Sequence, residues 1–134
     1  MPTDLRTREL AKLIVDYSVF VKKGENVVIS GSTEASDFID ALYKEILLRG
    51  AHPVLRVNLP GLNAFFYKHA TKEQIEKFPE IFDYTVKNAK KYIGINTSSN
   101  TKELTSADSK NITARQKVTR PISNYIVNEK SKIR

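Results

Sequence analysis

The sequence predicts an α/β fold: a short, mainly parallel twisted sheet of about three strands flanked by helices, a Rossmann-like three-layer arrangement built from residues 1–134 as a single domain. Three observations lead there. Short apolar runs bounded by glycine or turn residues, Val27-Val28-Ile29 between Gly24 and Gly31 first among them, have the character of strands covered on both faces. Segments with apolar residues at three- and four-residue spacing lie between them, as helices with one buried stripe require. The connections are tight, and a strand, helix, strand unit of this kind places parallel strands side by side through a right-handed crossover.

The first helix is expected over Thr3 to Val21, with Leu10, Leu13, Ile14, Tyr17 and Val21 on its buried stripe and Lys23-Gly24-Glu25 as its break. Asn26 to Ser30 is the first strand, ended by Gly31-Ser32-Thr33. Thr33 can cap the next helix through its hydroxyl, and Glu34 and Asp37 fall in the first turn, where the helix dipole favours negative charge. That helix carries Phe38, Leu42 and Ile46 on one face as far as Arg49, and Gly50 suits the left-handed residue that stops it. Pro53 to Leu59 is the second strand, with Val54, Val57 and Leu59 as its apolar members and Pro60-Gly61 as its close. The second crossover is longer. Leu62 to Ala70 places Phe65 and Phe66 as core residues, Thr71 and Gln74 have the spacing of a capping box, and Pro79 opens a helix to Lys90. Tyr92 to Asn96 is the third strand, followed by a polar Thr97-Ser98-Ser99-Asn100 loop. From about Ser106 the chain reads helical, with Ile112, Val118, Ile122 and Ile126 as the buried stripe and a kink, or two helices meeting, near Arg120 because of Pro121.

Composition narrows the chemistry. There is no Cys, so disulfides, thiolate metal sites and a Cys nucleophile are all excluded; the two histidines, His52 and His69, cannot form a zinc site without carboxylates. The amino terminus is charged through its first turns and resembles no secretion signal, and no run approaches the ~20 apolar residues that span a bilayer, so a soluble cytoplasmic protein is expected. The absence of Cys, the single Met and abundant Lys, Ile and Glu fit a thermophile. The net charge of +7 raises the alternative of a stand-alone basic module for an acidic ligand or nucleic acid. Against it, Lys22, Lys23, Lys44, Arg49, Lys87, Lys90 and Lys91 fall near predicted helix ends, where cations offset the dipole.

Ligands of open parallel sheets bind beyond the carboxyl ends of the strands, here Gly31 to Glu34, Leu59 to Leu62 and Asn96 to Asn100. None holds a complete phosphate motif, and no Gly-x-Ser-x-Gly elbow supplies a nucleophile. His69 and Glu73 stand four apart, but two groups do not close a metal site and Thr71 is expected to break the helix between them. His52, before Pro53, has a structural or surface role. Phe65-Phe66-Tyr67-Lys68 mixes aromatic and basic residues without an RNA-binding signature. Asn96-Thr97-Ser98 and Asn111-Ile112-Thr113 match a glycosylation pattern that is idle without secretion.

Several segments in order are familiar together: Leu10 to Lys23 with Tyr17-Ser18, Lys23-Gly24-Glu25-Asn26-Val27, Ser32-Thr33-Glu34-Ala35, Ala41-Leu42-Tyr43, Arg49-Gly50-Ala51-His52-Pro53 and Arg120-Pro121. Over nearly its whole length the chain resembles the N-terminal domain of the thermophilic aminopeptidase T family, also called the aminopeptidase S family. The resemblance implies a cytoplasmic, homodimeric metallo-aminopeptidase, a hydrolase that removes N-terminal residues from peptides with two divalent ions, commonly zinc or cobalt. It places the metal ligands in a C-terminal domain beyond Arg134, so no catalytic, cofactor-binding or metal residue is carried onto these 134 positions. The chain stops where a further strand would begin, and a piece of a longer enzyme, inactive alone, is the expectation.

Overall fold

The structure is a computed structural model, and it describes residues 4–96 and 108–129. The polar loop at Thr97 to Asn100, the first residues of the helix expected from Ser106, most of the first glycosylation pattern and the last five residues, 130–134, lie outside the described residues. Three parallel strands form one open sheet: β1 (Asn26–Ser32) in the centre, β2 (His52–Asn58) on one side and β3 (Lys91–Gly94) on the other. Among the described residues the α-helices are α1 (Leu5–Leu13), α2 (Ser36–Leu48), α3 (Leu62–His69), α4 (Lys72–Glu76), α5 (Glu80–Lys87) and α6 (Ser109–Glu129).

The three layers follow from the parity of β1. Successive side chains of a strand point to opposite faces. Val27 and Ile29, with Ile93 of β3, pack under α1 and α2 against Ala11, Ile14, Val15, Leu42 and Ile46. Val28 and Tyr92 face the other way, toward Val86 of α5 and Ile122 and Ile126 of α6. All three apolar residues of Val27-Val28-Ile29 are therefore fully buried, as a run covered on both faces must be.

Local signals explain the ends of the elements. α1 is capped by Asp4, whose carboxylate accepts from the Arg6 N–H. At α4 both halves of the capping box form: the Gln74 N–H donates to Thr71 Oγ1 at 3.2 Å, and the Thr71 N–H donates to Gln74 Oε1 at 2.9 Å. Gly50 stops α2 with φ +79°, and a Cβ there would meet Lys23 Cγ at 3.0 Å. Gly50→Ala combines an unfavourable φ with this crowding, so it should cost about 1 kcal/mol, read as a lower urea midpoint with unchanged slope.

Several expectations need correction. Thr33 does not cap α2: β1 runs on to Ser32, whose Oγ accepts from the Glu34 N–H at 3.2 Å and caps the tight turn Thr33–Ala35, and α2 then begins after Ala35 without a side-chain cap. Leu10, Leu13 and Tyr17 are not buried but 48%, 54% and 77% exposed, whereas Ala11, Ile14, Val15 and Val19 are buried. Within the regular turns of α1 the stripe that packs on the core contains Ala11 in place of Leu10 and Leu13; a π-helical turn then follows at Ile14–Ser18, in which the Val19 N–H reaches back five residues to the Ile14 carbonyl. The extra residue rotates Val19 into the seam and Tyr17 out of it, while the small side chain of Ala11 sits at the contact with α2. Phe65 is 63% exposed and α3 buries no residue, because α5 and α6 already cover that face of the sheet. In β2, the side strand, Val57 and Leu59 beyond it are likewise exposed. Pro121 does not divide the last helix: α6 is one element of 21 residues. A proline removes one backbone donor, and here Ile122 and Ile126 hold the following turns on the sheet.

Candidate functional site

The carboxyl ends of the three strands carry the most developed polar surface next to the core. The face of the sheet under α5 and α6 changes character along the strands. Its apolar row is Val54, Val28 and Tyr92, which are partners in register. Two residues on, the row is Arg56, Ser30 and Gly94, again in register across the sheet. Asn58 pairs with Ser32 in the row after that. Gly94 brings no side chain, so the sheet ends in a crevice of about 300 Å³ whose polar lining includes Ser30, Arg56, Asn58, Asn96 and Ser123. Phe82, Tyr92 and Ile126 contribute its apolar wall.

Arg56 is the charged member of this lining. Strand parity turns it toward α5, where the guanidinium carbon lies 3.7 Å from the centre of the Phe82 ring, a stacked cation–π contact. Burial holds the Arg56 pKa below the ordinary arginine value; the nearby Tyr92 hydroxyl opposes this and the positive charge of Arg115 adds to it. The residue as a whole stays solvent-accessible, so the guanidinium is flanked by protein and open on its remaining side. Arg115 is differently employed: it donates to the carbonyl oxygens of Ile75 and Lys77 at 3.2 and 2.7 Å and ties α6 to the segment that follows α4. Arg56 was not singled out by sequence reasoning. Its signal was available, a cation at the same parity as Val54 in a strand that must bury that side.

The other sequence candidates do not converge. His52 opens β2 at the amino end of the sheet and is exposed, its backbone N–H donating to the Glu25 carbonyl at 2.8 Å. His69 ends α3 and stacks on Phe65 with ring centres 4.4 Å apart. Glu73 belongs to α4, separated from His69 by the Thr71 cap. Among the described residues no group of three or more His, Asp or Glu side chains could hold a metal ion. Some of the positive charge is answered on the helices themselves: Lys44 pairs with Asp40, Lys72 with Glu76 and Lys87 with Asp83 at i,i+4, and Lys77 with Glu80 at i,i+3. No helix among the described residues is long and apolar enough to cross a membrane.

Residues 3–133 match the family described as thermophilic metalloprotease (M29). The chain belongs to this family. Aminopeptidase AmpS of Bacillus subtilis (strain 168) is 34% identical over 113 residues, a stretch that is 80% of this chain and 27% of that protein. The structure described as wild-type AmpT from Thermus thermophilus superposes with a TM-score of 0.76 at 19% identity, over 94% of this chain and 34% of that one. At that identity the superposition establishes the common fold. The chain thus spans about a third or less of the length of these relatives. Membership of a metalloprotease family implies a divalent metal, and the donors among the described residues do not fit one: the histidines are apart, and no carboxylate cluster of those residues joins either of them.

Proposed function

We propose that this chain is the non-catalytic N-terminal domain of a cytoplasmic metallo-aminopeptidase that removes N-terminal amino acids from peptides. The observation that carries the reading is one of proportion. The family match takes in residues 3–133, almost the whole chain, while the matched relatives are about three times longer or more. In this reading the two divalent ions, zinc or cobalt, and the side chains that hold them belong to the remainder of the enzyme, and the full enzyme is a homodimer. A two-metal peptidase needs a carboxylate-rich pocket in which the ions activate water and polarise the peptide carbonyl. The part played by the present residues is to pack against the catalytic region and restrict which peptides reach it.

The 134-residue chain, supplied with Zn²⁺ or Co²⁺ and an aminoacyl-fluorophore, is expected to show no turnover above a metal-free blank. Turnover by the purified chain would overturn the non-catalytic assignment. The access role predicts that the full enzyme discriminates between long and short peptides and loses that discrimination when these residues are removed. An unchanged length preference would count against it.

A further inference from the structure

We infer that the crevice at the carboxyl end of the sheet binds a small monocarboxylate, with the carboxylate paired to Arg56 and the apolar body of the ligand resting against Phe82, Tyr92 and Ile126. The inference rests on the lining of the crevice and does not depend on the aminopeptidase reading.

The arginines near the core differ in what the fold gives them. Arg49 is bonded by the carboxylates of Asp16 and Glu45. Arg115 is bonded by two backbone carbonyls. Arg56 has the Phe82 ring, and among the described residues no carboxylate or carbonyl accepts from its five N–H donors. A guanidinium against an aromatic face is held flat, and the planar fork so presented matches the two oxygens of a carboxylate. The neighbouring charge is positive as well, since Arg115 raises the potential felt at Arg56. An anion entering here answers a field that the described residues leave uncompensated.

The rest of the lining selects the class of anion. Ser30, Asn58, Asn96 and Ser123 supply hydroxyls and amides that can both donate and accept, so they suit a carboxylate and an adjoining amide. Phosphate, close to doubly charged at neutral pH, is answered less well by a single cation, because Arg115 is already bonded elsewhere and does not line this crevice. A volume of about 300 Å³ admits a ligand of amino-acid size. The position is also where an open parallel sheet holds its ligands, beyond the strand ends and beside the point at which the chain passes from one side of β1 to the other.

The test titrates the protein, by calorimetry or by amide chemical shifts, with N-acetyl-phenylalanine, with the corresponding neutral amide, and with inorganic phosphate. The acid is expected to bind at least tenfold more tightly than the amide, and Arg56→Gln to abolish that difference. Arg56→Lys, which keeps the charge and loses the fork, is expected to fall between the two. Equal binding of acid and amide, an Arg56→Gln protein that binds the acid as well as the parent, phosphate binding tighter than the acid, or no acid binding in the millimolar range would each overturn the assignment. Circular dichroism checks that Arg56→Gln is folded; if it is not, the difference between acid and amide in the unaltered protein decides alone. A tripeptide blocked at its amino end and ending in free phenylalanine separates the sources. Tighter binding than the single residue identifies a peptide terminus, and equal binding identifies a free small acid, both with the carboxylate on Arg56.

Discussion

An alanine at Leu42 should lower the free energy of unfolding by roughly 3–4 kcal/mol, a large effect for a single truncation. Leu42 is 0% exposed and belongs to the cluster that joins α1 and α2 to Val27, Ile29 and Ile93. Removing its branched end costs the transfer of the lost groups from water, and then the contacts forfeited around the cavity left behind. Domains are stable by only about 5–15 kcal/mol, so the loss is a large fraction of the whole. It should appear as a fall of roughly 10 °C in the thermal midpoint. Leu48, on the same helix but 77% exposed, supplies the contrast: its alanine variant should lie within about 0.5 kcal/mol of the parent. A Leu42→Ala loss no larger than that of Leu48→Ala would mean that α2 does not present this face to the sheet.

The second large effect concerns the bend between α1 and α2. Arg49 donates from Nε and Nη2 to the two carboxylate oxygens of Asp16 at 2.6 and 2.9 Å, and from Nη1 to Oε1 and the backbone carbonyl of Glu45, each at 2.9 Å. Asp16 is at the surface, and its part of the pairing alone would contribute little. Glu45 is only 7% exposed, and truncating Arg49 leaves this carboxylate without its cation in a place water hardly reaches. Arg49→Ala should therefore cost roughly 2–3 kcal/mol, most of it from the stranded Glu45. Arg49→Ala combined with Glu45→Leu should recover part of the loss, a result that a purely Asp16-based pairing would not produce.

Acid titration gives the same network a second readout. The hydrogen bond from Arg49 holds the Asp16 carboxyl below its ordinary value of 3.8; desolvation works against this, and the charges of Arg49 and Lys12 work with it. A carboxylate whose pKa is lower in the folded than in the unfolded chain stabilises the fold above the unfolded value, and this contribution disappears as pH falls through the lower, folded one. The parent protein should thus lose stability on going from neutral pH to below 3.8, and the part due to Asp16 should be missing in Arg49→Ala. Urea midpoints of the two proteins on either side of that pH measure it.

The strands were legible because their signal is local. Val27-Val28-Ile29 between two glycines announces a buried strand, Gly50 announces the end of α2, and Thr71 with Gln74 announces the start of α4. What escaped depends on partners far away in sequence. The order β2-β1-β3 is set by which crossover takes which side of β1, and no residue records that choice. In α1 two neighbouring stripes are apolar, Leu10, Leu13 and Tyr17 against Ala11, Val15 and Val19, and spacing alone does not choose between them. Proline in α6 was read by its local cost alone, whereas Ile122 and Ile126 gain burial that outweighs it. The crevice was located in outline, from the rule that ligands bind at strand ends, but its main charged residue was not found. Arg56 acquires its setting from Phe82, which lies on another element after two intervening helices.

The central place of β1 also bears on how the chain reaches this arrangement. Its pairing with β2 joins partners such as Asn26 and His52, close in sequence, whereas its pairing with β3 joins Val27 to the far more distant Lys91. Closing the longer loop costs more entropy, and contacts of high sequence separation slow folding. The crossover unit of β1, α2 and β2 should accordingly be the nucleus, with Leu42 and Ile29 already committed in the transition state and Ile122 and Tyr92 joining afterwards. Truncations at Leu42 would then retard refolding, while those at Ile122 would chiefly hasten unfolding.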